Sequence, residues 1–196
     1  MGAIKRHMWA AVAVMAVAVG ASFAPSAELA AAENDPPAFH GYQRSFTILR
    51  PAEPTSAAPI HTPRGGVTTL KRFSGKVVLL NIWATWCPAC LYELPTLSKL
   101  QAEIGGNRFT VVSLSIDEGG AKAVSPYLRR LGLNNLPTYL DPAGRIIDAF
   151  RVGKALPLSL IIDHRGRVMG YMKGAADWTS AEARALIDYY VGHISP

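Results

Sequence analysis

Apolar residues recur in two spacings along this chain, and the two spacings alternate. Short apolar runs rich in β-branched residues, at 76–82 and 109–116, are typical of strands that are buried on both faces. From Pro88 onward, leucine and isoleucine return every three or four residues until Gly105 and Gly106. This spacing predicts a helix that ends at the two glycines, so the central part of the chain is predicted as strand, helix, strand.

Shorter elements continue the alternation towards the C-terminus. A helix is expected over 121–131, either broken at Pro126 or starting late with Ser125 as its cap, because proline inside a helix removes a backbone hydrogen bond. Thr179 and Glu182 have the spacing of a capping box, which predicts that the last helix opens there and continues to about residue 191. The other predicted elements are a strand at 138–140, a short helix at 145–150 and a hairpin of 158–162 with 168–172.

This order of elements predicts an α/β domain in which helices flank a central mixed β-sheet, and we place that domain at residues 60–196. Residues 33–59 are rich in Pro, Ala, Ser and Thr, which is typical of a spacer, although 45–49 has the pattern of a strand.

The N-terminal residues 1–32 have the three parts of an export signal or an N-terminal membrane anchor. Lys5 and Arg6 precede an apolar run at 8–24, and Ala30 begins a stretch of three alanines suited to cleavage. A membrane-spanning helix needs about 20 predominantly apolar residues, and the run is shorter, so we favour cleavage over a retained anchor. Either alternative predicts a protein of the periplasm or of the outer face of the bacterial cytoplasmic membrane.

Composition narrows the possible functions. The chain is 49% hydrophobic and 17% charged, which indicates a globular domain rather than a disordered or fibrous protein. The formal net charge of +6 comes from short, separated basic clusters without stacking aromatics, so we expect no nucleic-acid partner. The two cysteines stand three positions apart, which makes them either a redox couple or half of a metal site.

The position of the cysteines favours redox chemistry. Cys87 falls where the first buried strand passes into the helix, with Pro88 at the first helical position, where a missing N–H costs nothing. The helix N-terminus lowers the pKa of such a thiol from about 8.5 and stabilises its thiolate. Cys90 follows one turn later, so Cys87 is the predicted nucleophile and Cys90 the resolving thiol. A structural zinc site is disfavoured because the sequence lacks a second ligand pair.

The motif Trp-Cys-Pro-Ala-Cys at 86–90, the apolar strand before it and the Glu-Leu-Pro at 93–95 resemble the TlpA/ResA type of thioredoxin-like proteins. The likeness extends more loosely over 75–190. It implies a thioredoxin fold with the extra strand–helix insertion of that group. It also implies an exported, often membrane-tethered enzyme without a metal or another cofactor besides the disulfide of Cys87 and Cys90. The group reduces disulfides during the assembly of cytochrome c and of the cytochrome oxidase copper site.

The resemblance also implies roles for individual residues. Cys87, Cys90 and Glu93 match the catalytic positions, and Glu93 would exchange a proton with Cys90; the alternative is an exposed helix glutamate. Pro95 matches a structural proline of the active-site helix. The substrate-binding positions are Trp86, Leu156 and a cis-proline at Pro157. Asn81 and Ser113 replace the buried Asp and the Lys of cytoplasmic thioredoxins, which leaves Glu93 as the nearest candidate proton carrier.

Three functions remain open on the sequence. The leading hypothesis is a reductant of disulfides in partner proteins, and since a periplasm is oxidising, it needs an upstream membrane thiol reductase. The second is an oxidant that introduces disulfides. The third is a copper-binding assembly chaperone that holds Cu(I) between its two thiolates. We expect a monomer, with contact to the membrane only through the N-terminal segment.

Overall fold

An eight-stranded mixed β-sheet organises residues 35–150 and 152–194, the part of the chain that the computed structural model describes. In chain order the strands are β1 Thr47–Pro54, β2 Ile60–His61, β3 Val67–Thr68, β4 Val77–Trp83, β5 Phe109–Ser115, β6 Thr138–Leu140, β7 Leu158–Ile162 and β8 Arg167–Lys173. The helices are α1 Pro88–Ile104, α2 Gly120–Arg130, α3 Arg145–Ala149 and α4 Ala181–Gly192, with a 3-10 turn at Leu70–Phe73. Across the sheet the order is β1-β8-β7-β4-β5-β6-β2-β3.

The central strand β4 is buried at all seven of its positions, as its mainly apolar pattern predicts. It runs parallel to β5 and antiparallel to β7. Because side chains alternate along a strand, Leu79 packs into one apolar layer and Leu80 into the other. The first layer lies between the sheet and α1, α2 and α4, and the second lies between the sheet and α3 with the 3-10 turn.

Between β5 and β7 the chain contains α2, β6 and α3, so this crossover includes the extra strand and helix that the family resemblance implies. Part of the Pro- and Ala-rich segment 33–59 also belongs to the sheet. Its strand, β1, is longer than the pattern at 45–49 predicts and pairs antiparallel with β8. The short pair β2 and β3 at the opposite edge was not predicted, because two-residue strands carry almost no periodicity.

The sequence expectation for α2 was wrong, since the helix is continuous and carries Pro126 in its interior. Val124 and Leu128 lie on the buried side of the helix, whereas Pro126 is exposed. Burying two large aliphatic side chains stabilises a segment by roughly 1.5–3 kcal/mol each, enough to offset the lost backbone hydrogen bond.

The capping-box expectation was also displaced by one residue. The N-cap of α4 is Ser180, whose hydroxyl accepts a hydrogen bond from the amide of Ala183 at 3.2 Å. Thr179 instead donates its hydroxyl to Asp177, at 2.7 Å, in the turn before the helix.

In the described part of the chain, every helix is too short or too polar to cross a bilayer. Residues 1–32, for which the sequence predicts a signal or an anchor, lie outside the described residues.

Replacing Pro126 with alanine should stabilise the domain. Alanine restores the backbone donor inside α2, where proline is about 3 kcal/mol less favourable than alanine, and the gain is reduced by the greater freedom of the unfolded chain. We expect the free energy of unfolding in urea to rise by roughly 2 kcal/mol. Pro142→Ala, in an exposed turn outside any helix, is the matched control and should not stabilise. An unchanged or lower free energy of unfolding for Pro126→Ala would show that Pro126 does not destabilise α2.

Candidate active site

The two cysteines lie where β4 passes into α1. Cys87 is the N-cap residue of α1 with an extended backbone, and Pro88 occupies the first turn. Cys87 and Cys90 form a disulfide across this turn, with their Cα atoms 5.4 Å apart. The backbone amide of Cys90 donates a hydrogen bond to the sulfur of Cys87 at 3.2 Å. The start of the helix therefore directs an N–H donor at the sulfur predicted to carry the thiolate.

Cys87 is more exposed than Cys90, as expected for the attacking thiol, although the exposed fraction of both residues is small in this disulfide form. Cys87 is 5% exposed and Cys90 is 1% exposed. The residues around them are open to solvent: Trp86 is 66% exposed, and Pro88 and Ala89 are exposed as well. A partner protein can therefore approach the disulfide from the side of Cys87.

An acidic side chain is fixed next to the motif. Asp117, after the end of β5, accepts hydrogen bonds from the backbone amide of Thr85, at 2.9 Å, and from its hydroxyl. The hydroxyl of Ser115 donates to the same carboxylate at 2.7 Å. Since Thr85 is two residues before Cys87, these bonds hold a carboxylate beside the redox loop.

Glu93 is completely buried, on the second turn of α1. Its carboxylate accepts hydrogen bonds from the indole N–H of Trp178, from the amide of Asn81 at 3.0 Å and from the hydroxyl of Ser159 at 3.4 Å. The alternative of an exposed helix glutamate is therefore wrong. The helix turns this side chain inward, where α1, β4, β7 and the segment before α4 meet.

Burial raises the pKa of Glu93 from 4.5 to about 7. Desolvation is the dominant cause, because the ionised carboxylate loses its hydration. The hydrogen bonds from Trp178, Asn81 and Ser159 oppose it by stabilising the charged form. A carboxyl group with a pKa near neutrality can both accept and release a proton under physiological conditions.

Three partners of Glu93 were missed as site residues by sequence reasoning. Asn81 was considered only as the replacement for an acidic residue, and neither Trp178 nor Ser159 was assigned a role in the site. A signal existed for two of them, since Asn81 and Ser159 interrupt otherwise apolar buried strands and a buried polar group needs a partner. Asn81 also donates to the hydroxyl of Ser159, at 2.9 Å.

The residues predicted to contact substrate line one edge of the site. The peptide bond between Leu156 and Pro157 is cis, as the resemblance implies. Leu156 and Trp86 both line a surface cavity of about 700 Å³. Among the described residues, the acidic side chains that line this cavity are Asp117, Glu118 and Asp148, and the one basic side chain, Lys154, forms an ion pair with Asp148. Pro95 lies inside α1, two residues beyond Glu93.

The four histidines in the described part of the chain take no part in this arrangement. His40 and His61 lie near the start of the described chain and in β2, His164 lies in the turn between β7 and β8, and His193 follows α4. Within residues 35–150 and 152–194, no group of three or more His, Cys, Asp or Glu side chains is arranged to hold a metal ion.

Solved structures share the fold. A thioredoxin-family thiol:disulfide interchange protein from Chlorobium tepidum aligns with a TM-score of 0.61 at 24% identity, over 72% of this chain and 97% of that one. StoA from Bacillus subtilis aligns with a TM-score of 0.55 at 19% identity, over 69% and 98% of the two chains. At these identities the likeness shows the fold, which is thioredoxin-like.

Sequence relatives and a family model show the family to which the chain belongs. ResA, a thiol-disulfide oxidoreductase of Bacillus thuringiensis, is 30% identical over 158 residues, covering 79% of this chain and 86% of the relative. ResA of Bacillus cereus is 32% identical with the same coverage. The model of the AhpC/TSA family matches residues 52–170. The chain therefore belongs to the AhpC/TSA family, and with its Cys-x-x-Cys disulfide it is a thiol-disulfide oxidoreductase similar to ResA.

Proposed function

We propose that this protein reduces disulfides in exported partner proteins, with Cys87 as the attacking thiolate. Attack on the partner forms a mixed disulfide and releases one partner thiolate, which takes up a proton. Cys90 then loses its proton and attacks the sulfur of Cys87, which re-forms the Cys87–Cys90 disulfide and releases the second partner thiol. Two electrons pass from the protein to the partner. The observation that carries the proposal is the N-cap position of Cys87, with Cys90 bonded to it one turn later.

The electrostatics around the motif favour this direction of electron transfer. A disulfide is strongly oxidising when its reduced thiolate form is well stabilised, usually by a nearby cation or a helix N-terminus. Here residues 83–92 carry no charged side chain, and the adjoining cavity presents Asp117 and Glu118. The helix N-terminus is thus the main stabiliser of the Cys87 thiolate, and the acids oppose it. The disulfide form is correspondingly favoured, which makes the reduced protein a reductant.

Equilibration with glutathione should show a low reduction potential. We expect a value near the thioredoxin value of about −270 mV rather than the DsbA value of about −120 mV. Glu118→Lys should raise the potential, because a cation in the cavity stabilises the thiolate. Glu182→Lys, an equal charge change at the exposed start of α4, is the control and should leave the potential unchanged. A wild-type potential near that of DsbA would instead support the oxidant.

We assign Glu93 the role of proton acceptor from Cys90. The two residues are one helical turn apart in α1, and both are buried. The Cys90 thiol must lose its proton before it can attack, and bulk water has little access to it. A carboxylate whose pKa is raised to about 7 by burial is matched to that transfer.

Glu93→Gln should slow the second step selectively. With a mixed disulfide preformed between Cys87 and a small thiol, the wild-type resolution rate should rise as pH increases through about 7. In the variant we expect this inflection to disappear and the rate above it to fall by about 10²-fold, as is typical for loss of a general base. Glu182→Gln should behave like the wild type. A variant with an unchanged pH–rate profile would remove Glu93 from the proton transfer.

The pH dependence of unfolding in Glu93→Gln tests the raised pKa of Glu93 directly. The folded pKa of Glu93 is raised from 4.5 to about 7, so the folded state binds the proton more tightly than the unfolded chain. The contribution of protonated Glu93 to the free energy of unfolding is therefore fully present below pH 4.5. It is lost as pH rises towards 7, and the loss is on the order of 3 kcal/mol. In Glu93→Gln this pH dependence of the free energy of unfolding should be absent.

For the partners, we propose exported proteins whose paired cysteines must be reduced during maturation of cytochrome c or of the cytochrome oxidase copper site. The support is the resemblance to the TlpA/ResA type together with the signal-like residues 1–32. On the outer side of the cytoplasmic membrane, re-reduction of the Cys87–Cys90 disulfide requires electrons from the cytoplasm, which a membrane thiol reductase would supply.

Trapping should identify the partner. In Cys90→Ala the mixed disulfide on Cys87 cannot be resolved, so the partner should stay covalently attached and be released by a reductant. Mass spectrometry of adducts isolated from cells should then find a cytochrome c apoprotein or a copper-site protein. The double variant Cys87→Ala with Cys90→Ala is the control and should give no adduct. Adducts dominated by unrelated secreted proteins would contradict the maturation role but not the reduction step.

A further inference from the structure

Two adjoining cavities lie at the end of the sheet opposite the disulfide. Strand β4 begins at this end with Val77 and ends at Trp83 next to the redox motif, and the turn between β7 and β8 lies beside its beginning. The cavities have volumes of about 260 and 430 Å³ and share Asp163 and Arg165 of that turn. We call them together the basic groove.

Cations dominate the charged side chains that the described residues place in the basic groove, which are Arg50, Lys71, Arg165 and Arg167 against one acid, Asp163. Asp163 is held in an ion pair with Arg167 at 2.7 Å, and the guanidinium of Arg167 donates a second bond to it at 2.8 Å. Asp163 also accepts the backbone amides of Arg165 and Arg167. The acid is therefore engaged by its own turn, and the groove keeps an excess of positive charge.

The floor of the groove is apolar. Leu49 and Met169 line the larger cavity, and Leu70, Phe73 and Val78 line the smaller one. A small inorganic anion would use the cations and leave this apolar floor unoccupied. The combination fits a ligand with a negative head and an attached apolar body, which is the chemistry of an anionic phospholipid.

The domain begins at the same end. Pro36, next to the first described residue, Asp35, lines the larger cavity. The sequence before it carries the apolar run at 8–24. The groove is thus the part of the domain where the chain arrives from the predicted signal or anchor at 1–32, and the disulfide lies at the far end of β4.

We propose that the basic groove binds the phosphate headgroups of anionic phospholipids, so that this end of the domain rests on the membrane surface and Cys87 faces away from it. Lys71 and Arg165 contact the phosphates, and the apolar floor receives the upper part of the acyl region. The proposal does not depend on the direction of electron transfer or on the identity of the protein partner.

Hydrogen exchange of the full chain on vesicles tests this. On equal parts of phosphatidylcholine and phosphatidylglycerol, amides of 48–52 and 163–167 should exchange several-fold more slowly than on phosphatidylcholine alone. Lys71→Gln with Arg165→Gln changes two exposed side chains and should abolish the difference. Lys122→Gln with Lys173→Gln removes the same charge from the opposite end and should preserve it. Equal exchange on both lipids, or equal slowing in the groove variant, would overturn the proposal.

A second measurement, made without vesicles, distinguishes binding to a lipid surface from binding of a small phosphate. Glycerol phosphate without vesicles should leave the exchange of these amides unchanged at concentrations comparable to the lipid. If it slowed them as strongly as the anionic vesicles do, and the Lys71→Gln with Arg165→Gln variant lost that effect, the groove would be a site for a small phosphate and the membrane proposal would fail. Neither result affects the reductase assays, so failure here is distinguishable from failure of the proposed function.

Discussion

The site depends on the hydrogen bonds that hold the buried carboxylate of Glu93. Trp178, Asn81 and Ser159 donate to it from the segment before α4, from β4 and from β7. These elements surround the redox helix, so one side chain links α1 to the three parts of the fold that fix its position. Ser159 is two residues after the cis-proline, and the same contact therefore connects the substrate edge to the helix that carries both cysteines.

Such a carboxylate is costly as a structural element. An isolated buried charge is strongly unfavourable, and even with several donors the pKa of Glu93 is raised to about 7. A well-packed apolar residue would usually stabilise the same space at least as well. In the role that we propose, this burial keeps a proton exchangeable one helical turn from Cys90, which is itself buried.

Charge is distributed unevenly between the two ends of the central strand. At the disulfide end, Asp117 and Glu118 adjoin an uncharged motif, so the helix N-terminus is the main feature that stabilises a thiolate. At the other end, cations surround Asp163, which is already paired within its turn. One end therefore suits the chemistry of a reducing thiol pair, and the other suits contact with an anionic surface. The sheet separates the two by the length of β4.

Local patterns in the sequence determined much of this protein. The mainly apolar runs specified β4 and β5, the three-and-four spacing specified α1, and the position of Cys87 before Pro88 specified a cysteine at a helix N-cap. These features depend on residues within a few positions of each other, which is the range over which periodicity and capping act. The continuous α2 around Pro126 was beyond such reasoning, because the burial of Val124 and Leu128 outweighed the local preference.

The environment of Glu93 was decided only by the tertiary structure. Its donors are 12, 66 and 85 residues away in the chain, and no local spacing relates them to the helix. The pKa of a carboxyl group depends on the water and the dipoles that surround it, and those are set by which strands and segments pack against α1. The sequence by itself determined which residues could carry the redox chemistry, whereas packing across the sheet decided the burial and the hydrogen-bond partners of Glu93.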